Sequence, residues 1–185
     1  MKPVLIGLAA VIVILGIAFA SVYNGMVAKH ETITAKWAQV ENQLQRRNDL
    51  IPNLVNSVKG YAAHERTVFE AVTEARSQWA KAATLDDKIN AASSMDSALS
   101  RLLLVVENYP QLKADQTFLR LMDELSGTEN RIAVERMRYN EAVRDYNITV
   151  RQFPGNIVAA VSGYKVATEY FKAEQGSRAV PQVEF

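Results

Sequence analysis

The sequence predicts an all-α, membrane-anchored protein. An N-terminal transmembrane helix continues into an antiparallel four-helix bundle, followed by a short C-terminal amphipathic helix. Three observations lead there. Val4 to Val22 reads VLIGLAAVIVILGIAFASV, with no charged side chain. As a helix it spans roughly 28 Å, close to the ~30 Å hydrocarbon core of a bilayer. Beyond it, apolar residues recur by threes and fours, the period of one helix face. The five prolines and eight glycines fall mostly at breaks between these runs, which suits long helices. No alternating strand with a turn signal stands out.

The elements follow in order. Lys2 precedes the apolar run, and Ala18-Phe19-Ala20 has the form of a cleavage site, so a secretory signal also fits. The run exceeds the usual ~7–15 residues of a signal core, which favours an anchor. Ile33, Trp37, Val40 and Leu44 then form a seam, and one helix is expected from about Val4 to Asn48. Asn48-Asp49 with Pro52 reads as a restart. The second seam runs Ile51, Leu54, Val55, Val58, Tyr61, Ala62, Val68, Phe69, Val72 and Trp79, with Gly60 inside it. Asp86 is expected to cap a third helix that ends at Asn108-Tyr109-Pro110. Asp115 or Thr117 caps a fourth, from Phe118 to Val150, which Phe153-Pro154-Gly155 terminates. Ile157, Val158, Val161, Tyr164, Tyr170 and Phe171 fall mostly on one side of a last amphipathic piece. The expected division is a short N-terminal end (1–3), the transmembrane helix (4–22), the bundle (23–153), the amphipathic segment (154–174) and a flexible tail (175–185).

Composition narrows the function. Twenty-one basic residues nearly cancel twenty acidic ones, and no long run of one sign points to nucleic acid. The chain has no cysteine, hence no disulfide and no thiol nucleophile. Neither His30 nor His64 has Glu three residues before it, as a di-metal carboxylate bundle requires, so no metal site is expected. No phosphate-cradling glycine loop and no nucleophile motif is present, so no catalytic residue and no cofactor is expected. Continuing the seams by threes and fours lands on four charges: Arg47, Glu65, Glu129 and Arg136. They pair across the bundle, where an unpaired buried charge would cost several kcal/mol, or lie along apolar surface with their heads in water, or, the least favoured reading, form an ion or ligand site.

Longer blocks carry a resemblance. Tyr23-Asn24 after the anchor, LQRRNDLIPNLVNSVKGYAAHE (Leu44 to Glu65), NYPQLKADQTFLRLMDEL (Asn108 to Leu125) and ENRIAVERMRYNEAVRDYN (Glu129 to Asn147) resemble the signature blocks of the LemA family of bacterial membrane proteins. The resemblance covers essentially the whole chain. It implies a bacterial inner-membrane, single-pass protein with a short N-terminus outside and a helical domain in the cytoplasm. It supplies no biochemical activity, though a relative among magnetosome-associated membrane proteins suggests work at membranes.

The expectation is therefore a non-enzymatic scaffold in the lipid bilayer that forms homo-oligomers through its helical domain and organises or shapes the membrane. Ile157, Val161, Tyr164, Tyr170 and Phe171 would supply self-association or lipid contacts. The alternative is a monomeric or dimeric adaptor that presents the bundle to another membrane protein, such as a protease or stress-response partner.

Overall fold

The computed structural model describes residues 2–171. Its regular elements are all helical: α1 (Lys2–Lys59), α2 (Arg66–Lys81), α3 (Leu85–Val106), α4 (Pro110–Lys113), α5 (Gln116–Arg151) and α6 (Gly155–Ser162). The expected tail, 175–185, and residues 172–174 lie outside the described residues.

α1 is the axis. Its 58 residues rise roughly 87 Å at 1.5 Å each. The apolar window near its start has none of its residues buried among the described residues, and it is long and apolar enough to cross a membrane. Above the span one face of α1 becomes the core, through Met26, Val40, Leu44, Ile51, Leu54 and Val58. The expected break at Asn48-Asp49 is absent: the helix runs through Pro52 to Lys59. Proline inside a helix costs ~3 kcal/mol or more. Here buried residues bracket it, Arg47, Asn48 and Ile51 before it and Leu54 and Val55 after, so packing holds the helix through the lost backbone bond. The break falls instead at Gly60–Glu65, so the expected second helix is divided between α1 and α2.

α5 returns antiparallel along α1, and the register holds over most of the domain. His30 meets Tyr146 and Trp37 meets Tyr139, seven residues up one helix for seven down the other. Near the base, Lys29 Nζ donates to Thr149 Oγ1 at 2.6 Å. The α2–α3 hairpin covers only the distal part. There Val58, Val72, Leu102, Phe118 and their neighbours from α1, α2, α3 and α5 share one core. Thr84, rather than Asp86, caps α3: its hydroxyl accepts from Asp87 N–H while the Asp87 carboxylate accepts from Thr84 N–H. That reciprocal box holds the Asp87 carboxyl below the usual carboxylate range. Asp115 caps α5, as expected, accepting from Phe118 N–H at 2.8 Å.

Below the hairpin a different segment completes the packing. Among the described residues, the expected amphipathic helix forms over Gly155–Ser162. Gly163 ends it in the left-handed region, φ 79°, and residues 164–171 carry no helix. They climb α1 and α5 as an extended strap. Near the membrane, Met26, Tyr146, Val150, Val158 and Ala159 form a separate small core.

Gly155 makes the close approach at this base. A Cβ added there would run into the carbonyl oxygen of Thr149 on α5. Gly155→Ala should therefore push α6 off its seat, costing about 1–3 kcal/mol, the usual range for overpacking. Hydrogen exchange of the full chain in nanodiscs should show faster exchange in 155–171 and little change in α2 and α3. Unchanged protection of α6 would mean that the helix terminus shifts without cost.

Candidate functional site

Two polar constructions stand out from the apolar packing. The first is an ion cluster at mid-height. The Arg47 side chain is 3% exposed, held by both neighbouring helices. Its Nη1 donates to Asp96 Oδ1 on α3 and, at 2.8 Å, to Glu129 Oε2 on α5. The second Asp96 oxygen accepts from Arg136 Nη2 at 3.3 Å. Asp96 thus bridges two guanidinium groups, and three helices meet at one set of charges. The cluster borders a groove of about 520 Å³, whose apolar wall is Leu99, Leu103, Met122 and Leu125. The Glu129 side chain is 53% exposed, so one side of the cluster stays wet.

Of the four charges expected to form a network, Arg47, Glu129 and Arg136 come together and Glu65 does not. Glu65 sits in the turn before α2, half-buried, where Tyr109 Oη donates to it at 3.4 Å. Its place is taken by Asp96. The signal was in the α3 seam, because Asp96 lies four residues after Ala92 and three before Leu99.

The second construction is a ladder on α5 that holds the strap. Asn147 accepts from Ala167 N–H and donates to Ala167 C=O, both at 2.8 Å. Asn140 does the same with Phe171, at 3.0 and 2.9 Å. Tyr146 Oη donates to Lys165 C=O at 2.9 Å, and Tyr139 Oη to Glu169 C=O at 3.0 Å. A carboxamide carries a donor and an acceptor, so it can pair with a peptide group as a neighbouring strand would. The signal is a Tyr-Asn pair repeated seven residues apart, Tyr139-Asn140 and Tyr146-Asn147, on one face of α5.

Aromatic packing joins the two constructions. Phe171 stacks on Trp37 at 5.9 Å and meets the edge of Tyr139 at 5.7 Å. The Arg136 guanidinium lies over the same Phe171 ring at 5.0 Å while bonding Asp96. Of the five residues expected to make outside contacts, Tyr164, Tyr170 and Phe171 are thus half-buried within the chain, while Ile157 and Val161 are exposed. The division follows from Gly163: residues before it keep a helical outer face, and residues after it are turned onto α1 and α5.

Burial pushes the Tyr139 phenol up to about 12, with the Glu169 and Asp86 carboxylates adding to the rise. Burial raises Tyr146 too. Among the described residues, no three His, Cys, Asp or Glu side chains gather in a way that would hold a metal ion.

The LemA family model matches residues 36–185. Magnetosome protein MamQ 2 of Paramagnetospirillum magneticum is 31% identical over 176 residues, covering 81% of this chain and 64% of that protein. Magnetosome protein MamQ of Magnetospirillum gryphiswaldense is 28% identical over 175 residues, with 80% and 64% covered. Protein LemA of Metamycoplasma hominis is 29% identical over 119 residues, with 62% and 53% covered. The chain therefore spans less than two thirds of the length of these relatives.

Two predictions test the ladder. Asn147→Ala leaves both polar groups of Ala167 unpaired, a cost of about 1–3 kcal/mol. Exchange at the Ala167 amide should rise by about tenfold or more, since 1.4 kcal/mol is a factor of ten. Ile148→Ala, on the exposed side of α5, should leave that amide unchanged. Equal effects of the two substitutions would remove the ladder's role.

The second is alkaline. An unfolded tyrosine ionises near ~10, and Tyr139 in the folded chain near about 12. The stability this group contributes is complete below the unfolded value and is lost as pH rises through the folded one. The strap should loosen over that window, and Tyr139→Phe should flatten this part of the pH profile. Identical profiles for the two proteins would show that Tyr139 is not the group responsible.

Proposed function

The chain belongs to the LemA family, and from that membership and the fold we propose that it is a non-enzymatic, single-pass membrane scaffold. Its four long helices act as an antiparallel bundle that self-associates and thereby organises or shapes the membrane. One observation carries this reading above the others. The helix that is apolar enough to cross the bilayer is the same unbroken helix against which the domain is packed. Contacts between neighbouring domains would then be transmitted to the lipid without an intervening hinge. Among the described residues nothing packs over the membrane segment, which leaves that surface for lipid or another copy. The similarity to proteins named for the magnetosome agrees with work at a membrane. The expected location is the bacterial inner membrane, with the domain cytoplasmic.

A second reading has its own observation. The apolar wall of the groove beside Arg47 is large enough to take side chains of a partner, as an adaptor would require.

Native mass measurement of the intact chain in nanodiscs separates the two. The scaffold predicts a discrete mass of many subunits. A mass of one or two chains would overturn it and leave the adaptor.

A further inference from the structure

We propose that α6 is a lipid-contacting foot, lying in the headgroup layer beside the transmembrane helix. This rests on the membrane-spanning role of α1 and is independent of self-association.

Position comes first. One face of α6, Gly155, Val158 and Ala159, is buried. Val158 and Ala159 pack with Met26 of α1, and Val22 lies against the same small core. Val22 is the last residue of the apolar run and Met26 is one turn beyond it. The buried face therefore fixes α6 at the level where α1 leaves the hydrocarbon. Tyr23 and Tyr164 meet at that level, with ring centroids 6.0 Å apart. Tyrosine rings are enriched at membrane–water interfaces, where one end of the ring is apolar and the other wet.

Composition then points to the occupant. Gln152 to Tyr164 carries no charged residue, and Arg151 and Lys165 bracket it. Within it Phe153, Ile157 and Val161, four residues apart, are 79%, 54% and 73% exposed. Single exposed apolar residues are ordinary on protein surfaces. Two on the outer face of α6 and one in the turn just before it, on an uncharged segment bracketed by cations and seated beside a membrane helix, match an interfacial helix with its basic flanks at the phosphates. A lipid surface satisfies both parts of this pattern, the apolar residues by acyl chains and the two cations by anionic headgroups.

The test uses the full chain in nanodiscs containing phosphatidylglycerol. The absence of native cysteine allows single labels. Nitroxides are placed at Val161→Cys, at Ile12→Cys within the span and at Leu104→Cys near the distal end of α3. Accessibility to oxygen, which concentrates in lipid, is compared with accessibility to a water-soluble nickel chelate. The label at 161 should resemble the one at 12, with the chelate several-fold less effective than at 104. A label at 161 as open to the chelate as the one at 104, while 12 stays lipid-exposed, would overturn the foot and leave the membrane span intact. A label shielded from both reagents would also overturn it, because protein would then cover this face. A label at 12 open to the chelate would overturn the span itself.

Discussion

The antiparallel register between α1 and α5 is the constraint on which the other packing depends. α1 changes character along its length: it is apolar all round over the stretch long and apolar enough to cross a membrane, and one-faced where α5 lies along it. Because α1 has no break between them, the two stretches share one coordinate. A residue's position on α1 sets its distance from the apolar stretch at ~1.5 Å per residue along the helix axis. The contacts of α5 at Lys29, His30, Trp37 and Arg47 convert that coordinate into the position of everything else. The proline at position 52 makes the point physically. A free helix would bend or stop there, and this one continues because buried side chains on both sides of Pro52 have no other place to pack.

The lower half poses a different problem. The α2–α3 hairpin does not reach it, so the chain covers this part of α5 with an extended segment. Extended backbone has no internal hydrogen bonds, and its polar groups need partners wherever water is excluded. The Tyr-Asn repeat supplies them at a matching spacing. Seven helical residues rise ~10.5 Å, and four extended residues cover at most ~13 Å. Each step of seven along α5, Tyr146 to Tyr139 and Asn147 to Asn140, therefore meets a step of four along the strap, Lys165 to Glu169 and Ala167 to Phe171. These bonds go to backbone atoms, so the ladder sets the strap's register with little demand on its side chains. Identity is added by Phe171, stacked against Trp37, by Tyr170, whose Oη accepts from Asn147 Nδ2 at 3.0 Å, and by Tyr164 against Tyr23.

Much of this was legible in the sequence, for identifiable reasons. The membrane segment, the apolar faces of α3 and α5 and the Asp115 cap follow from local patterns that packing reinforces. The misplaced boundaries, at Pro52 and Gly60, are places where local propensity and tertiary packing disagree, and packing decides. The ion cluster was half legible. Arg47, Glu129 and Arg136 interrupt apolar seams, but Asp96 was passed over because the seam around it is Ala-rich and weakly marked. Glu65 interrupts a seam only if α1 and α2 are taken as one helix, and the turn at Gly60–Glu65 removes that premise. The strap was legible least. Its residues alternate too loosely to mark a strand, and their hydrogen-bonding partners lie 19 to 31 residues away on a helix.

The ion cluster and the strap are joined through one side chain, and this explains the cost of burying Arg47. A buried ion pair adds little net stability but is exacting about geometry, because a displaced partner leaves a charge uncompensated. Asp96 holds the α2–α3 hairpin at one height against α1 through Arg47 and against α5 through Arg136. That height brings Ala82 and Leu85, at the lower end of the hairpin, onto the packing that contains Tyr170 and Phe171. Arg136 closes the circuit by lying over Phe171. The upper hairpin and the lower strap thus meet only when both are in register with α1. Sliding either by one helical turn would separate Asp96 from its guanidinium groups or Phe171 from its ring partners. Position along α1 is therefore specified redundantly, by charge above and by peptide hydrogen bonds below.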